Sequence, residues 1–168
     1  MAEPQTDLEF LRMALEEADK CDPKPTAFNV GCTIVVRGRI LARGYSRELP
    51  GNTHAEANAL AKARRLSSRE LQEYALPGSP EPDIDHLLRE ADVYTTMEPC
   101  SVRTSGLAPC ADALIEAQIQ RCLIGVAEPD DFVKCEGAQK LKDAGVEVIW
   151  LKGLERECLD VARKGRIE

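Results

Sequence analysis

Residues 91–127 decide how this chain folds: Ala91-Asp-Val-Tyr-Thr-Thr-Met97, then Glu98-Pro-Cys100, a loop, Pro109-Cys-Ala-Asp-Ala-Leu-Ile-Glu-Ala117, and Arg121-Cys-Leu-Ile-Gly-Val-Ala127. The first run reads as a strand that ends at Glu98-Pro99-Cys100. In the second, Ala111, Leu114 and Ile115 fall on the apolar side of a helix. The third is an unbroken apolar run, the pattern of a strand covered on both faces. Strand, helix and strand in that order form a crossover unit, and right-handed crossovers build parallel sheet.

Outward from this unit the pattern continues. Asn29 to Val36 and Ile40 to Ser46 flank the Gly-centred turn Arg37-Gly38-Arg39 and make a β-hairpin. Asp7 to about Cys21 reads as a helix capped by Thr6 or Asp7, with Leu8, Leu11, Leu15 and Ala18 on one stripe and Glu9, Glu16, Glu17 and Lys20 opposite. The two prolines of Cys21-Asp-Pro-Lys-Pro25 forbid its continuation. Thr53 to Arg65 is an alanine-dense helix. Glu136 to Ala144 is helical and closed by Gly145, and Val146 to Leu151 is the last strand. A C-terminal helix at about 154–164 is a candidate lid. Ser67 to Arg89 holds short helices around Arg69–Tyr74 and Ile84–Arg89 beside a proline-rich stretch, and is expected to be a surface insertion. The expected fold is α/β: a three-layer α/β/α sandwich on a mixed five-stranded sheet, one domain over residues 1–168.

A chain of 168 residues and 18.5 kDa, 43% hydrophobic and 30% charged, is long enough for a real core and too apolar for global disorder. Lys and Arg number 22 against 29 Asp and Glu, a net charge of −7 that argues against a nucleic-acid partner. No apolar run is long enough for a membrane span, and Met1 to Asp7 lacks the basic and apolar regions of a signal peptide, so a cytoplasmic location is expected. Seven cysteines remain to be explained. A reducing compartment rarely keeps disulfides, so some of them are suspected metal ligands.

His54-Ala-Glu56 opens the alanine-dense helix, Cys100 ends a strand, and Cys110 opens the next helix. One His and two Cys near helix starts are three ligands suited to catalytic zinc, with a fourth position left for water. Water on zinc reaches a pKa of about 7, and helix N-termini favour thiolate over thiol. Side chains two apart diverge by about 200° inside a helix, but in the first turn His54 and Glu56 can both reach past its end. Glu56 is then a proton shuttle beside the metal. Each residue alone has a plainer reading: a cap-region His, a dipole-complementing Glu, two buried small thiols. Their conjunction in this order, H-x-E followed by P-C and C, is the zinc-deaminase signature.

On those residues the chain resembles the cytidine-deaminase-like superfamily, and within it the diaminopyrimidine deaminases of riboflavin biosynthesis. Asn29-Val-Gly-Cys-Thr-Ile-Val35, His54-Ala-Glu-Ala-Asn-Ala-Leu60 and Thr96-Met-Glu-Pro-Cys100 through Ile115 all resemble family segments. So do Glu128-Pro129, Val133, Gly137 and Leu141-Lys-Asp-Ala-Gly145. The likeness covers about residues 7 to 150 without the insertion. Nine residues separate Cys100 from Cys110, where most cytidine and tRNA-adenosine deaminases have two; Ser101 to Ala108 looks more like the fungal branch of the pathway. Asn29 lacks the family's following Pro, and Glu128 stands for an Asp.

The resemblance implies a stand-alone Zn²⁺ enzyme, a homodimer, acting on a phosphorylated ribitylamino- or ribosylamino-diaminopyrimidinone. It implies His54, Cys100 and Cys110 as metal ligands and Glu56 as the acid/base. Asn29, Ser101 and Arg103 are the expected substrate contacts, Arg103 because it is the one cation in the inter-cysteine loop. Two other functions stay open at this point: a deaminase of free cytosine, guanine or a nucleoside, and a module whose zinc is only structural.

Overall fold

A computed structural model describes residues 5–103, 105–129 and 135–167. Val133 of the family-like run lies outside them. In chain order the elements are α1 (Asp7–Ala18), β1 (Gly31–Val36), β2 (Arg39–Tyr45), α2 (Ala55–Ala63), α3 (Ser68–Leu71), a 3₁₀ turn (Gln72–Tyr74), α4 (Ile84–Arg89), β3 (Asp92–Met97), α5 (Cys110–Glu116), β4 (Arg121–Val126), α6 (Gly137–Asp143), β5 (Glu147–Trp150) and α7 (Glu155–Arg163). The sheet runs β2-β1-β3-β4-β5. β1 is antiparallel to both β2 and β3, whereas β3, β4 and β5 are parallel, as the crossover unit requires. Arg37 and Gly38 both have positive φ, the condition for a two-residue hairpin loop matching the sheet twist.

Alternation along the strands sorts the core into two layers. Cys32, Ile34, Val36, Val93, Cys122 and Ile124 face the side covered by α2, α5 and α6. Val35, Tyr94 and Leu123 face the side covered by α1 and α7. That period of two on a sheet buried on both faces yields the expected three layers. Gly44 lets α2 sit directly on β2: a Cβ there would lie 2.4 Å from the Ala55 carbonyl oxygen. This close approach sets the start of α2, where His54 and Glu56 stand.

Three expectations change. Helix α1 stops at Ala18 and buries Phe10, Leu11, Ala14, Glu17 and Ala18, while Leu8 is exposed. Glu17, expected on the solvent side, is buried because Lys20 at 2.8 Å and Arg43 at 3.8 Å compensate its charge. The 67–90 segment is not merely superficial, since Leu71, Leu87 and Leu88 enter the main core. Its α3 helix starts with a full capping box between Ser67 and Glu70. Finally, α7 is a packed layer rather than a lid, with Leu154, Cys158 and Ala162 buried against the sheet.

Candidate metal centre and substrate cavity

The local fold at each ligand explains how distant residues converge. His54 is the N-cap of α2 with extended dihedrals, φ −99° and ψ 156°. It therefore stands outside the helical periodicity that would turn it away from Glu56 in the first turn. Cys100 follows β3, and Cys110 is the first residue of α5, whose cap is Pro109. The Cys110 backbone N–H donates to Cys100 Sγ at 3.2 Å, locking the two cysteine segments together. His54 Nδ1 lies 3.5 Å from both Sγ atoms, and all three donor atoms fall within 4.8 Å of one another. Zn–N of about 2.0 Å and Zn–S of about 2.3 Å at tetrahedral angles put N and S about 3.5 Å apart. The donor set and its spacing fit zinc.

The two thiols are coupled through a shared hydrogen bond. Cys100 is lowered to about 4, chiefly by the hydrogen bond with the Cys110 side chain. The same bond, with burial, pushes Cys110 far up. Glu56 lies within hydrogen-bonding reach of Cys110 and is buried. Desolvation raises the Glu56 carboxyl above its ordinary range, and the Cys100 charge adds to the shift. Thr95 on β3 donates to Glu56 Oε1 at 3.0 Å and so fixes the carboxyl's orientation. No sequence pattern had singled out Thr95, because its role depends on strand pairing with the far side of the core. The other five cysteines are unpaired, with Cys32 and Cys122 fully buried in the strand core.

The metal-side loop is braced from α6. Glu136 N–H donates to Ser101 Oγ at 3.1 Å, and Ala138 N–H donates to Glu98 Oε2 at 3.1 Å. Gly137 lies flat on the Pro99 carbonyl; a Cβ there would be 1.7 Å from its oxygen. Ser101 thus ties the loop to α6 and is not among the residues that line the cavity.

Beside the metal ligands opens a cavity of about 240 Å³ lined by His54, Glu56 and Cys100, by Glu98 and Glu128, and by Phe28, Asn52, Arg47 and Arg166 among others. Burial raises Glu128. Arg103 is not in this wall; it donates to the Asn52 carbonyl at 2.8 Å and braces a residue that is. Asn29 is likewise outside the residues that line the cavity. Its Nδ2 donates to the Val161 and Lys164 carbonyls at 3.0 and 2.9 Å, and its Oδ1 accepts from Arg47 at 2.5 Å. The amide thus ties the C-terminal end of α7 and Arg47 to the β1 entrance. Arg47 and Arg166 were missed, since nothing local in the sequence marks either.

An α/β/α sandwich that gathers one His, two Cys and a buried Glu at two helix starts is the arrangement of zinc-type hydrolytic deaminases. The chain belongs to the cytidine and deoxycytidylate deaminase family: residues 4–126 match that family's zinc-binding region. It is 40% identical over 162 residues to the diaminohydroxyphosphoribosylamino-pyrimidine deaminase of Schizosaccharomyces pombe, covering 96% of this chain and 36% of that protein. It is 34% identical over 159 residues to riboflavin biosynthesis protein RibD of Actinobacillus pleuropneumoniae, covering 92% and 35%. The chain thus spans about a third of the length of these curated relatives. Among solved structures, the Aspergillus oryzae Rib2 deaminase in complex with DARIPP, a C-terminal deletion mutant, matches with a TM-score of 0.73 at 35% identity, covering 95% of this chain and 91% of that one. No helix among the described residues is long and apolar enough to cross a membrane.

Proposed function

We propose that this protein is a zinc-dependent aminohydrolase of riboflavin biosynthesis, deaminating a phosphorylated ribitylamino- or ribosylamino-diaminopyrimidinone. The observation that carries the reading is the His54, Cys100 and Cys110 cluster next to a buried, Thr95-oriented Glu56 in one cavity. The named activities of the yeast, bacterial and Aspergillus relatives support the substrate class. His54 Nδ1 and the two Sγ atoms hold the metal, which supplies Lewis acidity and water acidified to neutral pH.

In the net reaction the ring carbon exchanges its amino group for oxygen, water is consumed and ammonia leaves. Glu56 moves the protons. With Oε1 held by Thr95, Oε2 takes one proton of the attacking water and delivers it to the adjacent ring nitrogen, then takes the remaining hydroxyl proton and passes it to the departing amine, which leaves as ammonia. Burial raises the Glu56 carboxyl above its ordinary range, which favours its taking up a proton from water. Among the described residues three side chains would hold the metal, a number that supports a catalytic over a purely structural role. A homodimer in the cytoplasm completes the proposal; seven unpaired cysteines suit a reducing compartment.

Ammonia release from a panel of aminopyrimidines and purines tests it. Turnover of the phosphorylated diaminopyrimidinone is expected, and preference for cytidine or guanine overturns the substrate. Glu56→Gln is expected to keep stoichiometric zinc and lose about 10²–10⁴-fold in kcat. Full turnover in that variant would leave zinc with a structural role only.

A further inference from the structure

We propose that Arg47 and the C-terminal Arg166 form an anion-receiving wall of the cavity, and that it takes the phosphate monoester of the substrate. The inference rests on the deaminase reading for the identity of the ligand, and on the following geometry for the site.

Arg47 follows β2 at a left-handed φ of 64° that few non-glycine residues adopt. Its guanidinium donates to the Phe28 carbonyl at 3.1 Å, the Asp22 carbonyl at 3.2 Å and Asn29 Oδ1. Every one of these acceptors is neutral. Among the described residues no carboxylate is ion-paired with Arg47, and its Nε is buried without a hydrogen-bond partner. A half-buried cation held only by neutral oxygens keeps its charge available to a ligand.

Arg166 reaches the same place from the other end of the chain. Its guanidinium carbon stands 3.9 Å over the Phe28 ring. Phe28 is therefore a junction, with one arginine on its carbonyl and the other on its ring, and all three residues line the cavity that holds His54 and Glu56.

The tail is built into position. Asn29 N–H donates to the Ala162 carbonyl at 2.9 Å, and Ile167 N–H donates to the Pro25 carbonyl at 3.2 Å. With the Asn29 amide bonds to Val161 and Lys164, residues 25–29 and 161–167 are zipped together. Asn29 is the positioning residue of this site, because it bonds both the tail and Arg47. The acidic members of the cavity, Glu56, Glu98 and Glu128, come from α2 and from the ends of β3 and β4. On a protein of net charge −7, the Phe28 junction is where a dianionic group finds opposite charge.

The test compares kcat/KM for the phosphorylated substrate and its phosphatase-treated counterpart in zinc-loaded wild type, Arg166→Ala, Arg166→Lys and Arg103→Ala. The phosphorylated-to-dephosphorylated ratio is expected to fall at least about tenfold in Arg166→Ala, the scale of one lost charge-assisted hydrogen bond, and to recover partly in Arg166→Lys. A ratio within about twofold of wild type in Arg166→Ala, or a fall seen only in Arg103→Ala, overturns the proposal. Inorganic phosphate provides an independent arm: its stabilisation of the zinc-loaded protein in a thermal titration should need several-fold more phosphate in Arg166→Ala. Wild type that deaminates neither compound but shows this Arg166-dependent phosphate shift would break the substrate reading and keep the anion site. Equal phosphate responses in both proteins would break the site itself.

Discussion

The two walls of the cavity are built by opposite strategies. On the metal side, every functional atom comes from a short segment whose own local structure aims it: an extended N-cap for His54, a strand end for Cys100, a helix start for Cys110. On the Phe28 side, nothing is local. Asn29 meets carbonyls 132 and 135 residues away, and Arg47 and Arg166 converge from different ends of the chain. The metal side needs particular side-chain atoms, so it leaves a motif. The opposite wall is held by backbone carbonyls, which every residue carries, so its construction leaves almost no imprint on the sequence.

That contrast can be broken at either wall. The largest effect is expected on the metal side: Cys100→Ser should abolish stoichiometric zinc and, with it, turnover, as read by metal analysis and ammonia release. Retained zinc would remove Cys100 from the ligand set. An intermediate effect is expected across the cavity. Asn29→Ala removes three side-chain hydrogen bonds at a buried position and strands Arg47 and the ends of α7. A loss of about 3 kcal/mol is expected, seen as a Tm lower by about 6–12 °C with zinc still bound. An unchanged Tm would mean the two terminal segments are not coupled through it. The smallest effect belongs to the 67–90 segment, remote from both walls: Ser67→Ala loses a capping box, costing about 1 kcal/mol and leaving kcat/KM unaltered.

The same contrast explains what the sequence discloses. The crossover unit at 91–127, the hairpin and the zinc trio were legible, because periodicity, a Gly-centred turn and helix starts are local physics. Glu17 was misread as solvent-facing, since Arg43, which helps make its burial tolerable, lies on another element. Leu87 and Leu88 looked superficial inside a proline-rich segment, yet they fill a gap in the core that only the assembled hairpin and helices create. Asn29 was singled out through the family resemblance, as an expected substrate contact. Its partners, however, are main-chain oxygens at the far end of the chain, and no spacing rule points to them.

Gly137 gives the metal centre a vulnerability outside its motif. Its bare α-carbon is pressed on the peptide that leads into Cys100, so even a methyl group would have to move that peptide or α6. In a saturation scan of the chain, position 137 should therefore tolerate substitution as poorly as the ligands do, although it contributes no atom to the metal. Anyone grafting this centre onto another scaffold must carry the glycine along with the three ligands and the glutamate.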